Sequence, residues 1–391
     1  MLMTSRVLFV CATLVLSSLA GCAARTHAAN NSASSGQTRT YYIAADEVDW
    51  NYAPSGIDKV SGKPFDAMEE ATTLHNPHRI GTTYRKAIYR EYTDATFSTL
   101  KPRPAQEQYL GILGPIIHAE VGDTIKVVFK NNASRPYSVH PHGVLYDKAS
   151  EGVAYDDGSP ASDKLGGALA PGHTYTYTWQ IPERAGPAAN DPSSIVWLYH
   201  SHVDEQRDVN AGLVGAIIVA ARGMARPDGT PKDVDREVVS LLDIFDENQS
   251  WYLNHNIATY APAVKGRERL QSVPVDPNGD FTFNGFGFLN SNFKSTINGY
   301  IFGNEPMIDM KRGERVRWYL LTIGFGFNFH TPHWHGNTVL QNKQNSDVIA
   351  LSPAQMVTVD MVPDNPGIWL YHCHVSEHMH GGMMALYRVN P

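Results

Sequence analysis

The chain has 391 residues, a formal net charge of −7 and no run of basic residues. This acidic balance argues against a nucleic-acid-binding protein, and the length suggests two domains or three. The sequence has 32 glycines, 24 prolines and 10% aromatic residues, with little long helical periodicity. The composition therefore predicts an all-β protein.

Residues 1–22 have the pattern of an export signal, with Arg6 before an apolar run at 7–19 that is too short to span a membrane comfortably. The run ends in Leu-Ala-Gly-Cys22, which resembles a bacterial lipobox. We therefore expect export to the periplasm or cell envelope and a lipid anchor on Cys22. The alternative is an ordinary signal peptide that is cleaved nearby.

Residues 23–39 are rich in Ala, Ser, Asn and Thr, which predicts a flexible tether. After processing, Cys11 is removed and Cys22 is blocked or removed, so Cys373 has no cysteine partner in the chain. A lone thiol in an oxidising compartment is prone to oxidation. Coordination to a metal would explain why Cys373 is present.

We expect a first domain at residues 40–222, a Pro- and Gly-rich linker at 223–235 and a second domain at 236–391. The first domain begins with an alternating segment, Thr40–Val48, that predicts an edge strand. Residues 213–220 predict an apolar strand that closes the first domain after its second pair of histidines, and a Cys-centred cluster closes the second domain.

Four His-x-His pairs are distributed over the two domains. They are His140 and His142, His200 and His202, His333 and His335, and His372 and His374. Eight imidazoles suit a cluster of three metal ions. One isolated pair would be better explained as core or surface histidines, but four pairs favour metal binding.

Cys373 lies between His372 and His374, so on an extended strand its side chain points to the opposite face from theirs. His378 and Met383 lie further along the chain and can return to the cysteine side. With His330 they complete a trigonal His₂Cys site with a weak axial Met, the ligand set of blue copper. Zinc is the alternative metal, but it favours closed tetrahedral sites and gains little from a distant Met.

The two domains repeat each other. Residues 197–202 parallel 369–374, and 140–143 parallel 333–336. Alignment of the copies places Ser201 at Cys373, Gln206 at His378, Ala211 at Met383 and Tyr137 at His330. The first domain therefore lacks every ligand of the mononuclear site and keeps all four of its cluster histidines. Chance scatter of histidines does not produce this division.

These motifs resemble the multicopper oxidases, and in particular the ceruloplasmin branch, over nearly the whole chain from Tyr41 onward. Residues 114–117, 134–137 and 199–204 also resemble that branch. The resemblance implies two cupredoxin-like Greek-key β-sandwich domains in tandem. It also implies four copper ions per chain and the four-electron reduction of dioxygen to water by electrons from a small reducing substrate.

The resemblance also implies the role of each ligand. Type 1 copper would be bound by His330, Cys373, His378 and Met383; type 2 copper by His140 and His333; and the type 3 pair by His142, His200, His202, His335, His372 and His374. A two-domain chain can complete such a cluster only between chains, so we expect a homotrimer closed head to tail.

Two acidic residues are candidates for catalytic roles. Asp157 stands where the family often has an acid near type 2 copper and would orient water or pass protons; an acid in a solvated turn is an equal alternative. Glu377 precedes His378 at a position that is often acidic in iron-oxidising relatives, and would face substrate or form a rim charge.

We expect a laccase-like oxidase of phenolic or similar donors, with oxidation of Fe(II) or Cu(I) as the alternative. Iron-oxidising domains of the family carry acidic and imidazole ligands where this chain has Asn290 and Ser295, which weakens the ferroxidase interpretation. A copper carrier without turnover needs only the mononuclear site. A copper nitrite reductase has its cysteine site in the first domain, so it fits poorly.

Overall fold

The computed structural model describes residues 36–266, 287–324 and 328–391. The expected export signal, its lipobox and residues 23–35 of the expected tether lie outside the described residues. So does most of residues 276–293, a segment rich in Gly, Asn and Phe for which the sequence predicts a long loop. The described chain is built mostly of β-strands, which confirms the predicted fold class. None of its helices combines the length and the apolar character needed to cross a bilayer.

The strands of the first half are β1 (Thr38–Asn51), β2 (Thr83–Tyr92), β3 (Ile117–Glu120), β4 (Thr124–Asn131), β5 (His140–Pro141), β6 (Thr174–Gln180), β7 (Ser194–His200) and β8 (Val214–Ala220). They form two four-stranded sheets, in the orders β2-β1-β4-β6 and β3-β8-β7-β5.

The expectation of an edge strand at Thr40–Val48 is wrong. β1 lies inside its sheet, because it pairs antiparallel with β2 and parallel with β4. Ile43 and Ala45 on this strand are fully buried. The weak alternation of the sequence reflects burial on both sides of part of the strand.

The strands of the second half are β9 (Arg236–Asp246), β10 (Phe293–Ile297), β11 (Ile308–Lys311), β12 (Val316–Leu321), β13 (Pro332–Trp334), β14 (Val339–Gln341), β15 (Gln344–Ser346), β16 (Met356–Met361), β17 (Gly367–Cys373) and β18 (Met384–Asn390). They form a six-stranded sheet, β10-β9-β12-β16-β14-β15, and a four-stranded sheet, β11-β18-β17-β13.

Short helices connect the strands: α1 (Glu70–Thr73), α2 (Glu205–Ala211), α3 (Leu253–Tyr260), α4 (Phe288–Ser291) and α5 (Ser376–His380). Short 3₁₀ helices occur at Ala105–Leu110, Lys148–Ser150, Ala161–Gly167, Glu183–Ala185 and Pro262–Val264. α2 follows β7 and α5 follows β17, so the two halves place a helix at the same point of the repeat.

The larger hydrophobic core is shared by the two halves. Tyr52 and Leu198 of the first half pack in one cluster with Leu241 and Trp318 of the second. A second cluster around Phe129 consists of residues of the first half and Tyr252 of the second. The shared core holds the metal-ligand strands of both halves in one rigid unit, because buried apolar side chains pack with few voids.

Candidate metal centres

The predicted mononuclear ligands meet in the interior of the second half. His330 Nδ1 lies 3.9 Å and His378 Nδ1 lies 3.7 Å from Cys373 Sγ. The three donor atoms all lie within 4.8 Å of one another. Cys373 is 0%, His330 1% and His378 8% exposed, so the centre is shielded from water.

Met383 is held beside these ligands by the backbone. The Cys373 amide donates to the Met383 carbonyl at 3.1 Å, and the Met383 amide donates to the His378 carbonyl at 2.9 Å. Met383 is fully buried. Helix α5 therefore leads the chain away from the end of β17 and back, so that Met383 lies beside Cys373, as the spacing of the sequence predicts.

Hydrogen bonds fix the orientation of the ligands. His330 Nε2 donates to Asn328 Oδ1 at 3.0 Å, which leaves Nδ1 free to face Cys373. The Thr331 amide lies 3.3 Å from Cys373 Sγ and donates to it. Burial and the neighbouring His378 lower the pKa of His330 to about 3, so this imidazole is neutral and can bind a metal.

The first half carries a half-cluster of four histidines, His140, His142, His200 and His202, on β5, β7 and the residues that follow them. His140 pairs with His200 across the two strands, and His142 Nε2 lies 3.1 Å from His200 Nε2. His140 Nδ1 donates to the Glu151 carbonyl at 2.7 Å, and His200 Nδ1 donates to the Ser201 carbonyl at 3.0 Å. The Nε2 atoms of these two rings therefore point away from the backbone.

The second half carries the equivalent half-cluster, formed by His333, His335, His372 and His374. His333 pairs with His372 across β13 and β17, and His335 Nε2 lies 3.1 Å from His372 Nε2. His333 Nδ1 donates to the Asp347 carbonyl at 2.8 Å, and His372 Nδ1 donates to the Cys373 carbonyl at 2.8 Å. The hydrogen bonds that orient the rings thus repeat with the sequence.

Glycine completes each histidine turn. Gly143 and Gly336 have φ of +73° and +74°, the left-handed region that favours glycine. A Cβ at Gly143 would lie 2.2 Å from the Trp197 ring, and one at Gly336 would lie 2.6 Å from the Trp369 ring. Only glycine leaves room for the rings of these two equivalent tryptophans beside the residue that follows each pair.

The half-clusters favour neutral imidazoles. Burial, with His140 and His202 nearby, lowers the pKa of His142 to about 4, and burial with His142 nearby lowers that of His200 to about 3. Two neutral rings whose Nε2 atoms approach to 3.1 Å share either a proton or a metal ion. The donor set is therefore that of an imidazole-rich metal site.

The structure does not bring the two half-clusters together. Among the described residues, each group of donors that can hold one ion takes its histidines from one half alone. Contacts between imidazole rings likewise stay within each half across this part of the chain. His374 is exposed. Each half-cluster is therefore open on one side.

Hydrogen bonds fill the place that the mononuclear site would take in the first half. Ser201 Oγ donates to Asp208 Oδ2 at 2.7 Å, and the Trp251 indole donates to Asp208 Oδ1 at 2.8 Å. The Tyr137 and Tyr252 hydroxyls lie 3.2 Å apart. Polar groups that satisfy each other thus replace the copper ligands there.

Asp157 and Glu377, the two acids predicted to have catalytic roles, differ in their contacts. Asp157 forms ion pairs with Lys148 at 2.7 Å and Lys164 at 3.2 Å, and Lys148 also pairs with Glu151, whose carbonyl orients His140. Glu377 is exposed in the first turn of α5, directly before His378. The catalytic roles of both acids stay predictions.

Sequence reasoning missed Asn328 and Asp243. Asn328 lies two residues before a ligand and is 2% exposed; its Oδ1 also accepts from the Ile244 amide at 2.9 Å. The position of Asn328, two residues before His330, could have indicated from the sequence that its amide orients this ligand. Asp243, inside an apolar strand and 1% exposed, offers the weaker signal of a charge among hydrophobic residues.

The donor set fits copper. One thiolate and two imidazoles with a buried thioether beside them match the mononuclear copper site, and eight oriented imidazoles match a copper cluster. His330, Cys373, His378 and Met383 would hold the first. The two half-clusters would hold the second.

Models of the multicopper oxidase family match residues 107–223 and residues 272–391. The two matches cover both half-clusters and the mononuclear ligands. The family match and the geometry therefore agree on the same residues.

The relatives belong to the ceruloplasmin branch. Human ferroxidase HEPHL1 is 42% identical over 356 residues, which is 90% of this chain and 29% of the relative. Mouse hephaestin is 41% identical over 358 residues (90% and 29%), and human ceruloplasmin is 38% identical over 359 residues (90% and 30%). The chain therefore spans less than a third of the length of the curated relatives it matches.

Solved structures share the fold at low identity. A blue copper oxidase from Nitrosomonas europaea matches with a TM-score of 0.52 and 20% identity, over 90% of this chain and 86% of that one. A copper nitrite reductase from the same organism matches with a TM-score of 0.54 and 17% identity, over 90% and 94%. With the family models and the copper-site geometry, these comparisons show that the chain belongs to the multicopper oxidase family, in its ceruloplasmin branch.

Proposed function

We propose that this protein is a metal-ion oxidase that couples the oxidation of Fe(II), or of a similar low-valent metal ion, to the reduction of dioxygen to water. The observation that supports the proposal is its 42% identity to a ferroxidase over 90% of the chain, together with the three ligand groups described above. The relatives thus favour the alternative from the sequence analysis over the laccase-like interpretation.

Copper at the two kinds of site would supply the redox chemistry, accepting single electrons at the mononuclear centre and reducing dioxygen at the histidine cluster. The protein supplies orientation and burial. Asn328 fixes the tautomer of His330, and the Thr331 amide stabilises the Cys373 thiolate. Burial raises the pKa of the Cys373 thiol, and a bound cation would offset that penalty.

The electron-accepting and histidine sites are adjacent in the chain. Cys373 is flanked by His372 and His374 at the end of β17. Its side chain faces the mononuclear centre while the His372 ring faces the second half-cluster. A few covalent bonds therefore join the two sites.

The half-clusters support a proposed homotrimer. Each is open and contains four of the eight imidazoles, so one chain cannot enclose the ions between them. A head-to-tail ring would bring the first half-cluster of one chain against the second half-cluster of the next. Three chains would give three such clusters.

The test compares substrates on protein with its full copper content. Fe(II)-dependent oxygen uptake should exceed uptake with a phenol at equal concentrations. Uptake with the phenol alone would contradict the proposal.

A laccase-like activity is the second candidate. Ser295 stands at a position that carries an imidazole ligand in iron-oxidising domains of the family. It lies against the end of α5, where its side chain would be 2.7 Å from a Cβ built on Gly381. Phe329, next to His330, is exposed and offers an aromatic contact to a phenol. The same oxygen-uptake comparison separates the two candidates.

A further inference from the structure

A cavity of about 240 Å³ lies between α2 and β9. Its polar lining comes from Glu205, Gln206, Asn210, Asp243 and Asn328. Asn328 is the residue that accepts a hydrogen bond from His330 at 3.0 Å. The cavity is therefore separated from a ligand of the mononuclear centre by one side chain.

Asp243 lines this cavity and has one carboxylate oxygen without a partner in the described part of the chain. The residue is 1% exposed, and its Oδ1 has no hydrogen-bond partner among the described residues. A Cβ built on Gly324, which also lines the cavity, would lie 3.4 Å from that oxygen and 2.4 Å from Asn328 Nδ2. A buried carboxylate oxygen without a partner is costly unless a cation accompanies it.

The nearest basic side chain is already paired. Lys86 donates to the Glu247 carboxylate and, at 2.8 Å, to the Asn210 carbonyl. The pair leaves Asp243 without a cation of its own, and Glu205 adds a second carboxyl group at the cavity. Lys86, Glu247, Asp243 and Glu205 together carry a net negative charge when ionised. The side chain of Glu205 is 51% exposed, so the cavity is accessible from that side.

We propose that this cavity is the site where a divalent metal-ion substrate binds, with carboxylate ligands from Asp243 and Glu205 and an amide oxygen from Gln206. The inference rests on the proposed metal-ion oxidase function and assigns its substrate site. Oxygen ligands of this kind suit hard, exchangeable cations such as Fe(II) better than they suit copper. The site would replace the ligands that this chain lacks at Asn290 and Ser295.

The position of the cavity fits transfer of one electron per metal ion. Fe(II) bound there would lose one electron to become Fe(III), and Asn328 and His330 lie between the cavity and the centre that copper would occupy as the electron acceptor. Four such electrons and four protons from solvent reduce one dioxygen to two waters, which is the chemistry of the family. The Fe(III) then leaves through the side of the cavity that Glu205 exposes.

Binding is measured without turnover. Copper-loaded protein is reduced and kept free of oxygen, and Fe(II) binding is followed by equilibrium dialysis. Asp243→Asn and Glu205→Gln should each weaken Fe(II) binding by about tenfold or more, with the blue colour of the mononuclear centre retained in the oxidised protein. Glu205 is exposed, so its variant tests the site even if Asp243→Asn folds poorly.

Asp246→Asn is the matched control. Asp246 lies on the same strand, but its Oδ1 accepts from the Asn248 backbone and side chain and it does not line the cavity. Fe(II) binding should be unchanged in this variant. Equal Fe(II) affinity and equal KM for Fe(II) in wild type, Asp243→Asn and Glu205→Gln would overturn the inference while leaving the metal-ion oxidase function standing. A wild-type protein that oxidises phenols and neither binds nor oxidises Fe(II) would overturn both.

Discussion

Cys373 is the residue on which the division between the two kinds of copper site depends. Cys373→Ser should abolish the blue colour and the turnover, because the thiolate ligand and the covalent connection to His372 and His374 are both affected. The histidine half-clusters do not include the thiolate, so their copper should remain. Copper analysis and visible absorption check this result.

Ser201→Ala is the control for that variant, because Ser201 occupies the equivalent position in the first half and bonds to Asp208. It should keep both colour and turnover. Loss of cluster copper in Cys373→Ser would contradict the separation of the ligands.

Asp243 gives a prediction for pH. Burial raises its pKa to about 8, although Lys86 and the Asn328 side chain act in the opposite direction. The folded pKa lies above the unfolded value, so the stability associated with the protonated group is complete below about pH 4 and is lost as the pH rises to about 8.

In copper-free protein, Asp243→Asn should therefore flatten the dependence of the unfolding free energy on pH across that window. Denaturant titrations at several pH values measure the difference. Parallel profiles for wild type and variant would show that the carboxyl group ionises freely in the folded chain.

At the scale of elements, β2 and β9 are joined by a buried ion pair. Lys86 on β2 and Glu247, directly after β9, are both fully buried, and the Tyr52 hydroxyl also donates to the Glu247 carboxylate. Lys86→Met should destabilise the protein by about 3–5 kcal/mol, because it leaves a buried carboxylate without its cation. Replacing both residues, as Lys86→Met with Glu247→Gln, should recover part of that loss.

Lys101 and Glu91 provide an exposed comparison, with a separation of 2.9 Å and side-chain exposures of 55% and 20%. Lys101→Met should cost no more than about 1 kcal/mol. Urea unfolding of the two variants gives both values. Similar small losses would mean that the buried pair does not hold the two strands together.

The elements also show what the sequence could predict. The sequence predicted that the His-x-His pairs belong to one metal cluster, and within each half the strands place His140 beside His200 and His333 beside His372. The mononuclear ligands followed from alternation and from the short return at α5. These features depend on local spacing, which a sequence contains.

Apart from Asn328, which lies two residues before His330, the features that were missed depend on distant parts of the chain. Lys86 and Glu247 are 161 positions apart, and no periodicity links them. The parallel pairing of β1 with β4 likewise joins residues 86 positions apart, so an alternating segment that was predicted to be an edge strand is an inner strand. Tertiary pairing decided both outcomes.

At the scale of the whole molecule, the proposed head-to-tail ring can be tested by complementation. One variant carries His140→Ala and His142→Ala, and the other carries His333→Ala and His335→Ala. Each should be inactive alone. When equal amounts of the two variants are mixed and reassembled, three quarters of the random rings contain both variants. Each mixed ring has one junction out of three in which both half-clusters are intact. About a quarter of the wild-type oxygen uptake should therefore return.

Two separately prepared batches of one variant, mixed in the same way, provide the control and should stay inactive. Native mass measured by light scattering should be three times the chain mass. A monomer with full oxidase activity, or a mixture that regains no activity, would contradict the ring.

The hydrogen-bonded Ser201–Asp208 pair in the first half has a consequence for such an assembly. Because the first half lacks the mononuclear ligands, each proposed oxygen-reducing centre of the ring would receive electrons from one chain only, the chain that contributes its Cys373. Loss of Cys373 in one chain would inactivate one centre and leave the others working, so inactivation would be additive within the ring. Oxygen uptake by mixed assemblies should fall in direct proportion to the fraction of Cys373→Ser chains. Adjacent subunits should neither restore the activity of a variant chain nor inhibit that of a wild-type chain.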